Sequence, residues 1–133
     1  MTDPAPIEAA PLRVLVVDQD DRIRATLARL LCIDGQCAVV GNAGGTDDAI
    51  EVATDMQPDV ILLDPRLPAM AGGRSIIPSL REAAPGVRIP VLNLSGPTDG
   101  SSPADGADAY IKKTFRPHEL IDAVVAAART SVA

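Results

Sequence analysis

Two aspartates end two of the most apolar runs in the chain. Asp18 closes Val14-Leu15-Val16-Val17, and Asp64 closes Val60-Ile61-Leu62-Leu63, with Pro65-Arg66-Leu67-Pro68 following at once. A near-continuous aliphatic tetrad reads as a parallel strand buried on both faces. A carboxylate just past it is delivered to the carboxyl edge of the sheet, where open α/β folds do their chemistry. Two acids at neighbouring strand ends form either a cation site or an acylatable pair. Ser95 and Lys113 bring a hydroxyl and an ammonium to the ends of two later strand runs. A single aspartate could simply cap a turn, but four such groups at corresponding strand ends argue for a site.

The elements that must position these groups alternate along the chain. Residues 1–11 carry three prolines and no periodicity, and read as a disordered tail ahead of a domain spanning 12–131. After the first strand, Asp20 or Asp21 can cap a helix whose Ile23, Leu27, Leu30 and Leu31 share one face. Cys37–Val40 makes a short second strand, and Thr46 can cap a helix with Ala49, Ile50 and Ala53 inward. Asp59–Leu63 is the third strand. Pro78 is tolerated only in a first turn, so the next helix starts near Ser75 and ends before Pro85-Gly86. Ile89–Leu94 and Ala109–Lys112 are the last strands. Pro117 opens a final helix with Leu120, Ile121, Val124, Val125 and Ala128 facing the core. Five strands alternating with helices predict an α/β fold, a doubly wound parallel sheet covered on both faces. Residues 96–106 are rich in Gly, Pro and Ser and carry no helical stripe, which predicts a loop between strands four and five.

Composition narrows the function. The chain has 133 residues, enough for one domain and a single core, and a net charge of −6. With that charge and no run of Lys or Arg, nucleic acid is not an expected partner. No basic-plus-apolar leader or membrane-length apolar segment is present, which predicts a cytoplasmic protein with no membrane association. Cys32 and Cys37 are too few for a zinc site, since the only histidine, His118, is distant in sequence. They read as buried or half-buried thiols in a reducing compartment, and His118 as solvated at the start of a helix.

In order and spacing, VLVVDQDD, PDVILLDPRLPAM, IPVLNLSG and GADAYIKKTFRPHEL resemble the receiver (CheY-like) domain of two-component response regulators. The resemblance covers about residues 12–130. It implies strand order 2-1-3-4-5, with the site at the switch point. The helix that is usually fourth is shortened here or replaced by a loop. It also implies roles. Asp64 is the phosphoacceptor, taking a phosphoryl group from a sensor histidine kinase or phosphotransfer protein. Asp18, Asp64 and the backbone carbonyl of Arg66 hold Mg²⁺. Ser95 bonds the phosphoryl oxygen, and Lys113 pairs with Asp64 and then with the phosphate. Lys112 competes for that last role, but the Tyr-x-x-Lys-x-Phe register favours Lys113. Tyr110 stands where the family holds an aromatic whose rotation, with Ser95, reports the phosphoryl state.

The sequence departs from the family pattern at five places. Gln19 replaces the second of two adjacent acids, so the site loses a negative charge and Mg²⁺ binding is expected to weaken. Asp20 or Asp21 is available to compensate. Thr114 replaces a proline often found after the lysine, and Pro65 removes a backbone N–H beside the acceptor. An extra residue sits around Ala71-Gly72-Gly73, and the Ser95–Lys113 connection is short. The leading expectation is a stand-alone, single-domain response regulator that signals to an unknown downstream protein by protein–protein contact. It is not an enzyme beyond accepting its own phosphoryl group. The alternative is a pseudo-receiver, a phosphorylation-independent binding module. Asp18-Gln19-Asp20 also matches the DxD opening of haloacid-dehalogenase-like phosphatases. That reading fails on Arg22, where a small hydroxyl residue is needed, and on the lack of a later Gly-Asp motif.

Overall fold

Helices cover both faces of the central strands, which is why those strands read as continuous apolar runs rather than alternating ones. The computed structural model describes residues 11–64, 76–93, 109–112 and 116–129. The elements are β1 (Leu12–Val17), α1 (Asp21–Leu31), β2 (Cys37–Ala43), α2 (Thr46–Met56), β3 (Val60–Leu63), α3 (Ile77–Ala83), β4 (Pro90–Asn93), β5 (Ala109–Lys112) and α4 (Pro117–Arg129). All strand pairs are parallel, in the order β2-β1-β3-β4-β5. The chain therefore steps from β1 to one edge and returns on the other side. That reversal opens a crevice at the carboxyl ends of β1 and β3.

The two-residue repeat of each strand divides the core. Leu15, Val17, Ile61 and Leu63 pack with Ala49 and Ala53 of α2 and with Ile77 and Leu80 of α3. Val14, Val16, Val60 and Leu62 pack on the opposite face with Leu27 and Leu31 of α1 and with Leu120, Ile121 and Val124 of α4. Ile23 and Leu30 lie against this second cluster, half-buried, as the helical spacing in the sequence anticipates.

Local signals set most boundaries. Asp20 is the N-cap of α1, its Oδ1 accepting from the N–H groups of Arg22 (2.8 Å) and Ile23 (3.2 Å). Pro78 falls in the first turn of α3, where its missing N–H costs no helical bond. Several boundaries differ from the sequence reading: β3 starts at Val60 rather than Asp59, and β4 at Pro90 rather than Ile89. β2 extends to Ala43 rather than Val40, because the β1–β2 register shifts between Val14 and Leu15 and pairing then resumes through Gly41, Asn42 and Ala43. Gly41 lets α2 close on that stretch, since a Cβ there would lie 2.7 Å from Val52 Cγ1. The cap of α2 is Gly45 and not Thr46, and no side chain bonds at that cap. The expected tail (apart from Pro11), the insertion near Ala71–Gly73 and the shortened fourth helix or loop at 96–106 lie outside the described residues.

Candidate functional site

The register brings the two aspartates side by side. Val17 pairs with Leu63, so Asp18 and Asp64 each stand one residue past a paired position on adjacent strands. The Asp64 N–H donates to the Val17 carbonyl (2.8 Å) and the Asp18 N–H to the Ala43 carbonyl (3.1 Å), tying both to the sheet. They are the only buried charged or polar residues among those described, 1% and 2% exposed. Carried one residue on, the strand alternation gives them the parity of Val16 and Leu62, the α1 side of the sheet. Asp18 Oδ1 also accepts from the Asp20 N–H (2.8 Å), which turns the chain from strand into helix.

One cation is fastened beside this edge. Arg24 of α1 donates from Nη1 to the Asp18 backbone carbonyl (2.7 Å) and from Nε to Asn42 Oδ1 near the end of β2 (3.2 Å). It forms an ion pair with Asp21, and its side chain is only 17% exposed. The guanidinium lies against Gly44, where a Cβ would come within 2.6 Å of Nη1 and 3.3 Å of Cζ. Neither Arg24 nor its seat stands out in the sequence. Only the Asp21–Arg24 spacing of three residues gives a signal, because Asn42 and Gly44 reach Arg24 through the fold.

The other expected residues fall as follows. Gln19 is exposed. Asp20 is committed as the helix cap and Asp21 to Arg24, so both acids that could have compensated for Gln19 have other partners. Tyr110 belongs to β5, its backbone level with Val91, and Lys112 ends β5 level with Asn93. Lys113 is the next residue in the chain and Ser95 the second after Asn93, but these two, Arg66, Pro65 and Thr114 lie outside the described residues. His118 is exposed. Both cysteines are free thiols. Cys37 is buried, whereas Cys32 is exposed because it caps the end of α1 rather than facing the core.

Two buried carboxylates at one sheet edge are hard oxygen donors of the kind a divalent cation takes. Among the described residues, no cluster of three or more His, Cys, Asp or Glu side chains is present. The donor set fits Mg²⁺ with two acids rather than three. No described helix is long and apolar enough to cross a membrane.

Comparison with known proteins gives the same picture. The family model of the response regulator receiver domain matches residues 14–125. The nitrate/nitrite response regulator protein NarL of Escherichia coli K12 is 32% identical over 120 residues, covering 89% of this chain and 55% of that protein. The chain thus spans about half the length of the curated relatives it matches. Among solved structures, the signal receiver domain of NarL from Mycobacterium tuberculosis superposes with a TM-score of 0.72 at 27% identity, covering 91% of this chain and 98% of that one. The response regulator domain of Thermotoga maritima CheB gives 0.70 at 26%, with the same coverage. This chain belongs to the response regulator receiver domain family of two-component systems.

Proposed function

We propose that this domain accepts a phosphoryl group on Asp64 from a histidine kinase or phosphotransfer protein and passes the signal on by contact with a further protein. The observation that carries this is the pair of buried carboxylates, Asp18 and Asp64, side by side at the switch point of a receiver-family sheet. In the transfer, an Asp64 oxygen attacks the phosphorus held on the partner's histidine. The O–P bond forms as the P–N bond breaks, and the histidine nitrogen recovers its electron pair. Asp18, Asp64 and the Arg66 carbonyl are the residues that would hold Mg²⁺, with the Gln19 amide as a weak replacement for an acid. When bound, the cation offsets the like charges of carboxylate and phosphoryl group. Ser95 and Lys113 are assigned to the phosphoryl oxygens, and Tyr110 with Ser95 to reporting their presence. The net charge of −6 supports partners that are proteins rather than nucleic acid.

The test is incubation with Mg²⁺ and acetyl phosphate followed by intact-mass measurement. A gain of one phosphoryl group in the wild type and none in Asp64→Asn is expected. No gain from acetyl phosphate or from a cognate kinase would overturn the assignment. One observation favours a second reading, the phosphorylation-independent binding module: the acid lost at Gln19 is not replaced, because Asp20 and Asp21 are engaged elsewhere.

A further inference from the structure

We propose that Arg24 is a positioning residue for the cation site, holding the Asp18–Asp20 turn in its binding geometry from a seat that Gly44 leaves open. The inference rests on the cation-assisted acceptor reading above. Arg24 joins three segments at one point: the end of β1 through the Asp18 carbonyl, the first turn of α1 through Asp21, and the end of β2 through Asn42. The Asp18 carboxylate is therefore fixed from two directions. The Asp20 N–H holds Oδ1 from the helix side, and Arg24 holds the backbone of the same residue from the β2 side. A guanidinium is suited to this because its donors lie in one rigid plane. A lysine ammonium carries the same charge but cannot serve three acceptors set in that plane. The absent Cβ at Gly44 is the other half of the device, since any side chain there would strike Nη1 and push the guanidinium out of its seat.

Outer contacts that orient a metal ligand typically affect metal affinity by about 10–100-fold, and a contact to the ligand's backbone belongs at the lower end. The experiment titrates MgCl₂ into the full chain and follows backbone amide NMR shifts. The samples are wild type, Arg24→Lys, Gly44→Ala and the double variant, all kept well below their melting temperatures. Both single variants keep the positive charge, so a lost affinity reports geometry and not electrostatics. The expected result is a Mg²⁺ dissociation constant raised about tenfold in each single variant and no further in the double, because both changes empty the same seat. Wild-type affinity in both folded variants overturns the positioning role and leaves the acceptor reading standing. Additive losses overturn the shared seat. If the wild type itself shows no Mg²⁺-dependent shifts at Asp18 or Asp64, both readings fall. Should one single variant not fold, the other decides the matter alone.

Discussion

Asp20 sits where two different jobs predict different outcomes for the same substitution. As the N-cap of α1, its Oδ1 satisfies the N–H groups of Arg22 and Ile23, which have no partner inside the helix. As a stand-in for the acid missing at Gln19, it would instead ligate the cation. Removing the cap acceptor with Asp20→Ala is expected to lower stability by about 1 kcal/mol. For a domain of this size that is roughly a 4 °C drop in melting temperature. Asp20→Ser keeps an acceptor of equal capping rank, so its melting temperature should stay close to wild type. For the cation, Asp20 is an exposed charge. An exposed charge about one Debye length from a divalent ion acts on it by ~0.4 kcal/mol in physiological salt, or about twofold in affinity.

Circular dichroism melts and Mg²⁺ titrations by backbone NMR on both variants separate the two jobs. If Asp20 is a cap alone, Asp20→Ala melts early, Asp20→Ser does not, and both bind Mg²⁺ within about twofold of wild type. A tenfold loss of Mg²⁺ affinity in a stable Asp20→Ser protein would make Asp20 a ligand and refute the reasoning. So would an Asp20→Ala protein as stable as wild type, since the two capping bonds would then contribute nothing.

Two further outcomes follow from the core. Gly41→Ala places a methyl 2.7 Å from Val52 Cγ1. It should destabilise by about 1–2 kcal/mol in urea unfolding, the overpacking cost less the gain from a stiffer unfolded chain, and Val52→Ala in the same protein should recover most of that loss. Burial first, and then the negative charge of Asp34, pushes the Cys37 thiol from 9.0 up to about 11. The unfolded chain thus releases this proton more readily than the folded one. The stability it contributes is complete below pH 9 and is lost as pH rises through about 11. Denaturation midpoints measured across that range should fall, and Cys37→Ala should flatten the fall. In the native protein, iodoacetamide should label Cys32 and spare Cys37.

The parts of the fold legible in the sequence were those set by local chemistry. Val14–Val17 and Val60–Leu63 are strands because four consecutive aliphatic residues suit a strand buried on both faces, and their ends place Asp18 and Asp64. Asp20 and Pro78 marked helix starts because one supplies a cap acceptor and the other lacks an N–H. What stayed hidden depends on neighbours distant in sequence. Gly41-Asn42-Ala43 has no strand character of its own, and it joins β2 only because β1 offers paired positions after the register shift and α2 fits over Gly41. Arg24 reads as an ordinary solvated helix residue until the fold brings Asn42, Gly44 and the Asp18 carbonyl around it.

The distribution of burial at the site bears on which of the two readings the protein follows. Gln19, the position that departs from the family pattern, is exposed, whereas the two acids that remain are nearly inaccessible. Two carboxylates one residue past a paired position on adjacent strands repel each other when both are ionised, and more strongly where water is excluded. An acid at Gln19 would stand in water, where the same repulsion is several-fold weaker. The amide therefore relieves the folded domain of little. The arrangement keeps the costly buried pair and gives up the cheap exposed charge. A module that binds partners only through its outer surface has no use for such a pair, because an amide at either position would remove the repulsion with little change of shape. A divalent cation held by the same pair would offset that repulsion. Burial thus supports the acceptor reading proposed above, in which the missing charge at Gln19 lowers the affinity for Mg²⁺.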